Sequence, residues 1–166
     1  ILAGEKKGIN IFGSELVQNA LGGKSGSSFE STAASGYGVY YSAPVKSGAE
    51  VLGVVVAGYD LTLPDFTDLV SESYGVECTV FENTRRISTT LGVEYIGSNL
   101  ENQTIIDKVL NNGETYYGEN TIHGDNYLSI YLPLKDENGK ISGMVFVAKS
   151  KEIVRSATTK IIRTII

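Results

Sequence analysis

The groups in this chain that could do chemistry are mainly tyrosines and one pair of arginines. A tyrosine combines an apolar ring with one polar tip, so a cluster of tyrosines suits the wall of a pocket for a small polar ligand. A guanidinium can form two parallel, charge-assisted bonds with one carboxylate. Packing within a sheet and a charged surface hairpin are the alternative roles for these side chains. The candidate ligand-binding residues of this kind are Arg85, Arg86, Tyr116, Tyr117, Tyr127 and Tyr131 in the second half of the chain, and Tyr40 and Tyr41 in the first half.

One acidic residue is a further candidate for ligand binding. Asp60 follows Gly58-Tyr59 at the end of a predicted strand, and its ligand-binding role is implied by the resemblance described below. Its alternative role is local, because an aspartate in front of a helix commonly caps that helix, and a helix is predicted from Thr62 onward.

The sequence does not favour a catalytic or metal-binding arrangement. His123 is the only histidine, it lies in a predicted turn, and no nucleophile-elbow motif accompanies it. With this histidine and one cysteine, Cys78, a zinc site would have to rely on carboxylates. The oxygen-rich segment 136–139 lacks the spaced ligands and closing glutamate of a calcium loop, so it is predicted to be a hairpin turn. We therefore expect no catalytic residue, no metal and no cofactor.

Charge and hydropathy narrow the range of partners. The formal net charge is −5, which disfavours nucleic acid because a phosphate backbone requires a basic surface. No stretch is long and apolar enough to span a membrane, and no signal peptide is visible. Because residues 1–3 already resemble the interior of a strand, we expect the chain to be a fragment of a longer protein.

The same order of short motifs occurs twice, about ninety residues apart. Each copy has a helix followed by paired strands, and two copies are too few for a solenoid, so two related modules are predicted. We expect residues 9–59 and 94–148 to superpose, with the prolines and the glycines of the two copies in equivalent places. The matching pieces include residues 13–16 and 97–100, Pro44 and Pro133, and Gly53 and Gly143.

Turn and capping residues predict the elements that must position these side chains. Ser14 is placed to cap a first helix, and Thr62 a second helix that Gly75 would end. Hairpin signals predict five antiparallel strands within residues 76–148, with a helix at residues 99–112 packed on one face of the sheet. An antiparallel sheet with flanking helices belongs to the α+β class, here in the PAS-like or profilin-like arrangement.

A series of short segments between residues 78 and 148 follows the order of a known family. The segments are residues 79–81, 84–91, 109–116, 131–136 and 143–147, with Gly97, Gly118-Glu119, Ile122-His123-Gly124, Tyr127 and Asn138-Gly139-Lys140 between them. In this order they resemble the Cache family of extracytoplasmic sensor domains, particularly those of bacterial methyl-accepting chemotaxis proteins.

The resemblance implies a division of the chain into two Cache modules, the first of them truncated. Residues 1–61 would form a partial membrane-distal module, and residues 62–75 a connecting helix. Residues 76–150 would form the membrane-proximal module, with its five-stranded antiparallel sheet. Residues 151–166 would begin the helix that leads to a transmembrane segment.

The resemblance also implies a function, namely the ligand-sensing domain of a transmembrane chemoreceptor. Such a domain faces the extracytoplasmic side of the cell membrane, is anchored through segments outside this chain, and forms a homodimer in the full receptor. Its ligand would be a small molecule such as a carboxylate or an amino acid. Asp60 resembles the acid that binds the amino group in amino-acid-sensing double-Cache domains, although their aromatic cluster includes a tryptophan and this chain has none. The alternatives are the same domain on a histidine kinase or a cyclic-dinucleotide signalling enzyme, a soluble hydrolase, and a structural dimerisation module.

Overall fold

Two antiparallel sheets organise residues 13–32 and 35–156, the parts of the chain that the computed structural model describes. The helices are α1 (Glu15–Leu21), α2 (Pro64–Tyr74) and α3 (Gln103–Ile106), and α3 continues into a π-helical segment at Asp107–Asn111. A 3-10 turn occupies Val93–Tyr95. The strands are β1 (Gly26–Ser31), β2 (Tyr37–Ser47), β3 (Glu50–Asp60), β4 (Glu77–Glu82), β5 (Arg85–Thr89), β6 (Tyr116–Ile122), β7 (Asp125–Lys135) and β8 (Ile141–Ser150).

The larger sheet confirms the predicted α+β class and the five antiparallel strands. Its strand order is β5-β4-β8-β7-β6, and every neighbouring pair is antiparallel. Tight turns join β4 to β5 and β6 to β7. Asn83 and His123 lie in these turns with φ of 51° and 52°, a left-handed conformation that asparagine and histidine adopt more readily than most residues.

The helix on this sheet begins later than the sequence indicates. It was expected over residues 99–112, but α3 begins at residue 103 and Asn102 is its N-cap, with its Oδ1 accepting a backbone amide of the first turn at 3.3 Å. The preceding residues are tied to the β4–β5 hairpin, since the Leu100 amide donates to the Thr84 carbonyl at 2.8 Å. This tertiary contact keeps residues 99–101 out of the helix.

Apolar clusters cover both faces of the five-stranded sheet. Val80 and Phe81 are adjacent in β4 and so point to opposite faces. We call the face that carries Phe81 the front face, and there Ile105 and Val109 of the α3 region pack on the sheet. The other face, the back face, meets α2 and the smaller sheet through a second cluster. Its members are Tyr37, Leu61, Val80 and Ile87, with Phe29, Phe66, Leu134 and Val145 packed against them.

The smaller sheet has the order β1-β2-β3 and is covered on one face by α1. Leu16, Val17 and Ala20 are the buried residues of α1. Ser14 occupies the N-cap position, as predicted, but its hydroxyl accepts no hydrogen bond from a helix amide and instead donates to the Glu30 carboxylate at 3.1 Å. Within the described residues, β3 is hydrogen-bonded along one edge only.

The second predicted helix is present, but its predicted cap is wrong. Leu63 is the N-cap residue of α2. The Thr62 hydroxyl and amide both donate to the carboxylate of Asp60, so Thr62 closes the turn between β3 and α2 instead. Gly75 ends the helix as predicted, with φ of 59° and its amide bonded to the Ser71 carbonyl at 2.7 Å.

The hairpins of the two copies share one pairing register. Gly53 and Gly143 each lie opposite the residue that follows the proline, Pro44 or Pro133, and in both hairpins the register shifts directly after that pair. In each copy a short helix also packs on the hairpin. Superposition of the two copies along their whole length stays a prediction, because residues 1–12 lie outside the described part of the chain.

Two predicted turns are confirmed, and a polar side chain in each of them contacts a backbone group. Asp136 Oδ1 accepts from the amides of Asn138 and Lys140 at 2.8 and 2.9 Å, which is the bonding of a self-contained Asx turn. His123 Nε2 lies 3.3 Å from the Leu91 carbonyl oxygen. Asp136 therefore stabilises its own turn, whereas His123 links the β6–β7 turn to Leu91, which follows β5.

The chain passes from β8 directly into a helix. Residues 151–156 are helical. The remainder of the predicted C-terminal helix, to residue 166, and the predicted strand at residues 1–3 lie outside the described residues. Among the described helices, none is long and apolar enough to cross a bilayer.

Candidate functional site

A cavity of about 250 Å³ lies between α3 and the front face of the five-stranded sheet. We call it the front-face cavity. Apolar side chains form most of its wall and a few polar side chains point into it, which is the usual composition of a small-molecule site. The apolar residues are Phe81, Leu91, Leu100, Ile105, Ile122 and Phe146, and the polar ones are Arg86, Asn102, Asn120, Thr121 and Tyr131.

Arg86 is the charged group of this wall. Its guanidinium lies over the Phe81 ring, 5.0 Å from the centroid, in the geometry of a cation–π contact. Its Nη1 donates to the Ser98 hydroxyl at 2.9 Å and to the Asn99 carbonyl at 3.4 Å. Its Nε is buried without a hydrogen-bond partner. These contacts hold the side chain in place in the wall of the cavity.

Tyr131 forms the floor beside this arginine. It is only 4% exposed, and its hydroxyl accepts a hydrogen bond from Asn120 Nδ2 at 3.0 Å. Its ring packs against Phe146 at 4.9 Å between centroids and meets Tyr116 edge-on at 6.0 Å. Burial raises the pKa of Tyr131, although the bond from Asn120 and the charge of Arg86 act in the opposite direction. The phenol therefore stays neutral and can offer its proton to a ligand.

The structure separates the other sequence candidates from this cavity. Arg85 is exposed, and Tyr117 is 71% exposed on the outer side of β6. Tyr116 reaches the cavity only through its contact with Tyr131. Tyr127 lines a separate cavity of about 120 Å³ between the end of α2 and the end of β8.

The first-copy tyrosines lie in the smaller sheet, away from the front-face cavity. Tyr40 is buried against Gly58, and its hydroxyl donates to the Gly36 carbonyl at 2.9 Å. Tyr41 is half exposed on the opposite side of the same strand. These two side chains pack on different faces of the smaller sheet and do not meet at one site.

Asp60 has its carboxylate occupied by the chain itself. One oxygen accepts from the Ser35 hydroxyl and the Gly36 amide, and the other accepts from the Thr62 hydroxyl and amide. Partial burial alone would raise the pKa of this carboxyl, but the hydrogen bonds outweigh it and hold the pKa below its usual value. The geometry is that of a local turn between β3 and α2.

Three polar residues of the wall were missed by sequence reasoning. Asn120 carried a usable signal, since it lies four residues after Tyr116 in a strand and so shares its face. Asn102 also had a usable signal in the sequence, because an asparagine in front of the apolar pair Ile105-Ile106 is a typical N-cap. Nothing in the local sequence distinguishes Thr121 from an ordinary strand residue.

This combination of fold and cavity defines a sensor domain of the Cache class. Residues 60–161 match the family described as Single cache domain 3, and because the match spans more than half of the chain, the chain belongs to this family. α2 falls inside the matched residues, whereas the smaller sheet before residue 60 falls outside them. Among curated proteins, none gives a significant sequence match.

Several solved structures are similar to this chain at low sequence identity, and one of the following three has a TM-score above 0.5. Methyl-accepting chemotaxis protein X is 15% identical with a TM-score of 0.56, and the match covers 85% of this chain and 56% of the chemotaxis protein's chain. The E. coli DcuS sensor domain is 20% identical with a TM-score of 0.48, and the match covers 58% of this chain and 71% of the DcuS domain. The ligand-binding domain of the Pseudomonas fluorescens chemoreceptor CtaA, in complex with L-serine, is 11% identical with a TM-score of 0.48, covering 89% and 64%. The chain thus spans less than two thirds of the chemotaxis protein and of CtaA.

Proposed function

We propose that this chain is the extracytoplasmic ligand-sensing domain of a transmembrane receptor, and that its ligand is a small molecule held in the front-face cavity by Arg86. The observation that carries the proposal is the cavity itself, which combines six apolar side chains with the guanidinium of Arg86 and the hydroxyl of Tyr131. The cavity also favours ligand binding over a purely structural dimerisation module, whose core would be filled.

The route from ligand to membrane follows β8. Phe146 of β8 lines the cavity, and β8 continues directly into the helical residues 151–156. A ligand that favours one packing of α3 on the sheet shifts this helix relative to the membrane. The shift is limited by the difference in the ligand's affinity for the two states. Membrane anchoring outside the described residues and a homodimer of the full receptor are parts of the same proposal.

We favour a methyl-accepting chemotaxis receptor as the full-length protein. The support is the fold shared with methyl-accepting chemotaxis protein X at a TM-score of 0.56. A histidine kinase or a cyclic-dinucleotide signalling enzyme is the alternative, because the same sensor domain serves any of these outputs. The sequence of the cytoplasmic part of the receptor distinguishes them.

The proposal also divides the chain into two modules. Residues 1–61 form a partial membrane-distal module, residues 62–75 a connecting helix, residues 76–150 the membrane-proximal module, and residues 151–166 the start of the helix toward the membrane. The equal pairing register of the β2–β3 and β7–β8 hairpins supports this division.

Calorimetric titration of the 166-residue chain with small carboxylates, amino acids and purines tests the proposed site. For any ligand found, Arg86→Ala is expected to weaken binding about ten- to hundredfold, because a charged partner is lost in a sheltered pocket. Arg85→Ala is the matched control and is expected to leave the affinity unchanged, because Arg85 is exposed and lies outside the wall. Equal affinity in wild type and Arg86→Ala would place the site elsewhere.

A further inference from the structure

We infer that the open edge of β3 pairs with β3 of a second copy of this chain, so that the smaller sheets of two copies form one antiparallel sheet across a two-fold axis. The inference concerns a surface outside the front-face cavity and goes beyond the proposed function, because it does not depend on a ligand. It starts from the backbone of β3. Within the described residues this strand is bonded to β2 alone, so alternate residues on its other edge present N–H and C=O groups without a strand partner.

The other edge strands carry the protection that natural proteins commonly place on a sheet edge. Residues 97–99 bond along β5, β6 carries Glu119, which forms an ion pair with Lys151, and β1 carries Glu30. β3 differs from them, since no charged residue and no proline occurs between residues 51 and 59. An uncharged edge of this length is the kind that pairs with a strand of another chain.

A two-fold symmetric pair of antiparallel strands has a restricted register. Its axis is perpendicular to the sheet, so the same face of both copies lies on one side and odd-numbered residues meet odd-numbered ones. The pairing of β3 with β2 is regular from Gly53 to Asp60. A register centred on Val56 therefore pairs residues 53–59 with the same residues of the second copy.

The side chains of β3 are compatible with this register. Tyr59 of one copy lies opposite Gly53 of the other, where a Cβ would meet no atom within 4 Å and a ring therefore has room. The acidic ends of the strand, Glu50 and Asp60, lie opposite no charged residue, whereas like charges directly opposite each other would destabilise the pair. A second copy thus matches the edge in both shape and charge.

An exposed apolar face continues up to this edge. Tyr41 and Val45 of β2 and Val55 and Tyr59 of β3 are exposed, and they share one face because odd-numbered residues of β2 pair with odd-numbered residues of β3 there. α1 packs on the opposite face, where the buried Ser42 hydroxyl donates to a carbonyl of that helix. Pairing of two copies joins the two apolar faces and shields the β3 side chains beside the axis from water.

Sedimentation velocity of the 166-residue chain, at concentrations from micromolar to millimolar, tests the inference. We expect a reversible dimer of twice 17.8 kDa. Val55→Lys is expected to weaken dimerisation at least about tenfold, because it places a like charge of each copy beside the axis. Val45→Lys is the matched control and is expected to leave dimerisation unchanged. It makes the same substitution on the same face, at a valine of similar exposure (44% against 57%), but in β2, away from the edge. Thermal melts check that both variants are folded.

Disulfide formation tests the register, in which Val55 of one copy lies opposite Ala57 of the other. An equal mixture of Val55→Cys and Ala57→Cys chains, treated with oxidised glutathione, is expected to give more cross-linked dimer than either variant alone. Directly opposite side chains lie within reach of a disulfide, whereas diagonal ones do not. Wild type is the control, because its Cys78 is buried. A yield from the mixture that does not exceed the yields of the single variants would overturn the proposed pairing.

The sedimentation outcomes also separate this pairing from other occupants of the edge. A chain that stays monomeric at every concentration overturns the inference, and a further segment of the same polypeptide is then the occupant. Equal losses in Val45→Lys and Val55→Lys overturn it as well, because association would then depend on the apolar face and not on the edge. Species larger than a dimer contradict it, since two-fold pairing leaves no free β3 edge. None of these results bears on ligand binding in the front-face cavity, so the inference and the proposed function fail independently.

Discussion

Two neighbouring arginines lie in different surroundings because adjacent residues in a strand point to opposite sides. The two arginines pair with consecutive residues of β4, Arg85 with Glu82 and Arg86 with Phe81. A bulge follows directly, because Val80 pairs with Ser88 and Ile87 is left without a partner residue in β4. Arg86 faces the front-face cavity, whereas Arg85 is exposed.

Asp60 is expected to act on stability at the scale of a single residue. Asp60→Asn should lower the free energy of unfolding by about 1.5–3 kcal/mol at pH 7, because charge-assisted bonds from Ser35, Gly36 and Thr62 are weakened. The folded-state pKa is lowered, so this stabilisation is present above the unfolded-state pKa of about 3.9 and is lost as the pH falls through the folded-state pKa.

Urea unfolding at pH 7 and pH 3 measures this effect. The difference in unfolding free energy between wild type and Asp60→Asn should be smaller at pH 3 than at pH 7. Asp68→Asn, on the exposed side of α2, is the control and should change the unfolding free energy by less than about 0.5 kcal/mol. If wild type exceeds Asp60→Asn in unfolding free energy by the same amount at both pH values, the prediction is wrong.

Cys78 is expected to be chemically inert in the folded chain. It is fully buried, and burial, with a smaller contribution from the charge of Glu77, raises the pKa of its thiol to about 11. The thiolate is the reactive form, so iodoacetamide at pH 8 should alkylate the folded chain only as fast as it opens. Mass spectrometry with and without urea measures this, and rapid alkylation without urea would show that the thiol is accessible.

At the scale of elements, equivalent strands of the two copies have different neighbours. β8 is bonded on both sides, by β4 and β7, whereas β3 is bonded only by β2 within the described residues. The two strands carry equivalent glycines, Gly143 and Gly53, at the same place in the pairing register. These glycines should therefore differ in how much they tolerate a side chain.

Gly143→Ala is expected to be far more destabilising than Gly53→Ala. A Cβ at residue 143 would overlap the carbonyl oxygen of Phe81 and lie 2.6 Å from the Tyr37 hydroxyl, whereas a Cβ at residue 53 meets no atom within 4 Å. Overpacking of this kind costs about 1–3 kcal/mol or more, and Gly53→Ala should change stability by less than about 1 kcal/mol. The midpoints of urea unfolding measure the stability of both variants. Equal losses of stability would show that the two sites are equally crowded.

At the scale of the whole molecule, polar contacts and an apolar cluster join the two sheets. The Tyr37 and Ser142 hydroxyls are hydrogen-bonded at 2.7 Å, and the Ser31 hydroxyl donates to the Glu82 carboxylate at 2.7 Å. Tyr37 also belongs to the cluster with Leu61 on the back face. The smaller sheet is thereby packed on the larger one near the beginning of β8.

Tyr37→Phe is expected to remove one of these links and a pH dependence with it. Loss of the bond to Ser142 should cost about 0.5–1.5 kcal/mol at pH 8. Burial raises the pKa of Tyr37 to about 12, so the folded state holds its proton longer than the unfolded state does. Wild-type stability should therefore fall as the pH rises from about 10 toward 12, by at most about 1.4 kcal/mol per pH unit.

Urea unfolding between pH 8 and pH 11 checks this prediction. The unfolding free energy should fall less steeply with rising pH in Tyr37→Phe than in wild type. Tyr74→Phe, which alters a tyrosine that is 71% exposed on α2, is the control and should keep the wild-type slope. If Tyr37→Phe also keeps that slope, another group causes the pH dependence.

The sequence alone determined the local elements and the fold class. Turn chemistry at residues 136–139, the helix stop at Gly75 and the alternation of β-forming residues predicted strands and hairpins that the structure confirms. The repeat was visible for the same reason, because Pro44 and Pro133 mark equivalent local geometry. Each of these features depends on residues close together in the chain.

Features that depend on contacts between separate segments of the chain could be determined only from the tertiary structure. Thr62 bonds to Asp60 instead of capping α2, and Leu100 bonds to Thr84, which delays the start of α3. The pairing of β4 with β8 brings together residues more than sixty positions apart, and the front-face cavity forms only once α3 packs on that sheet. No local pattern specifies such contacts, because their free energy comes from burial and hydrogen bonds between segments that are separate in the sequence.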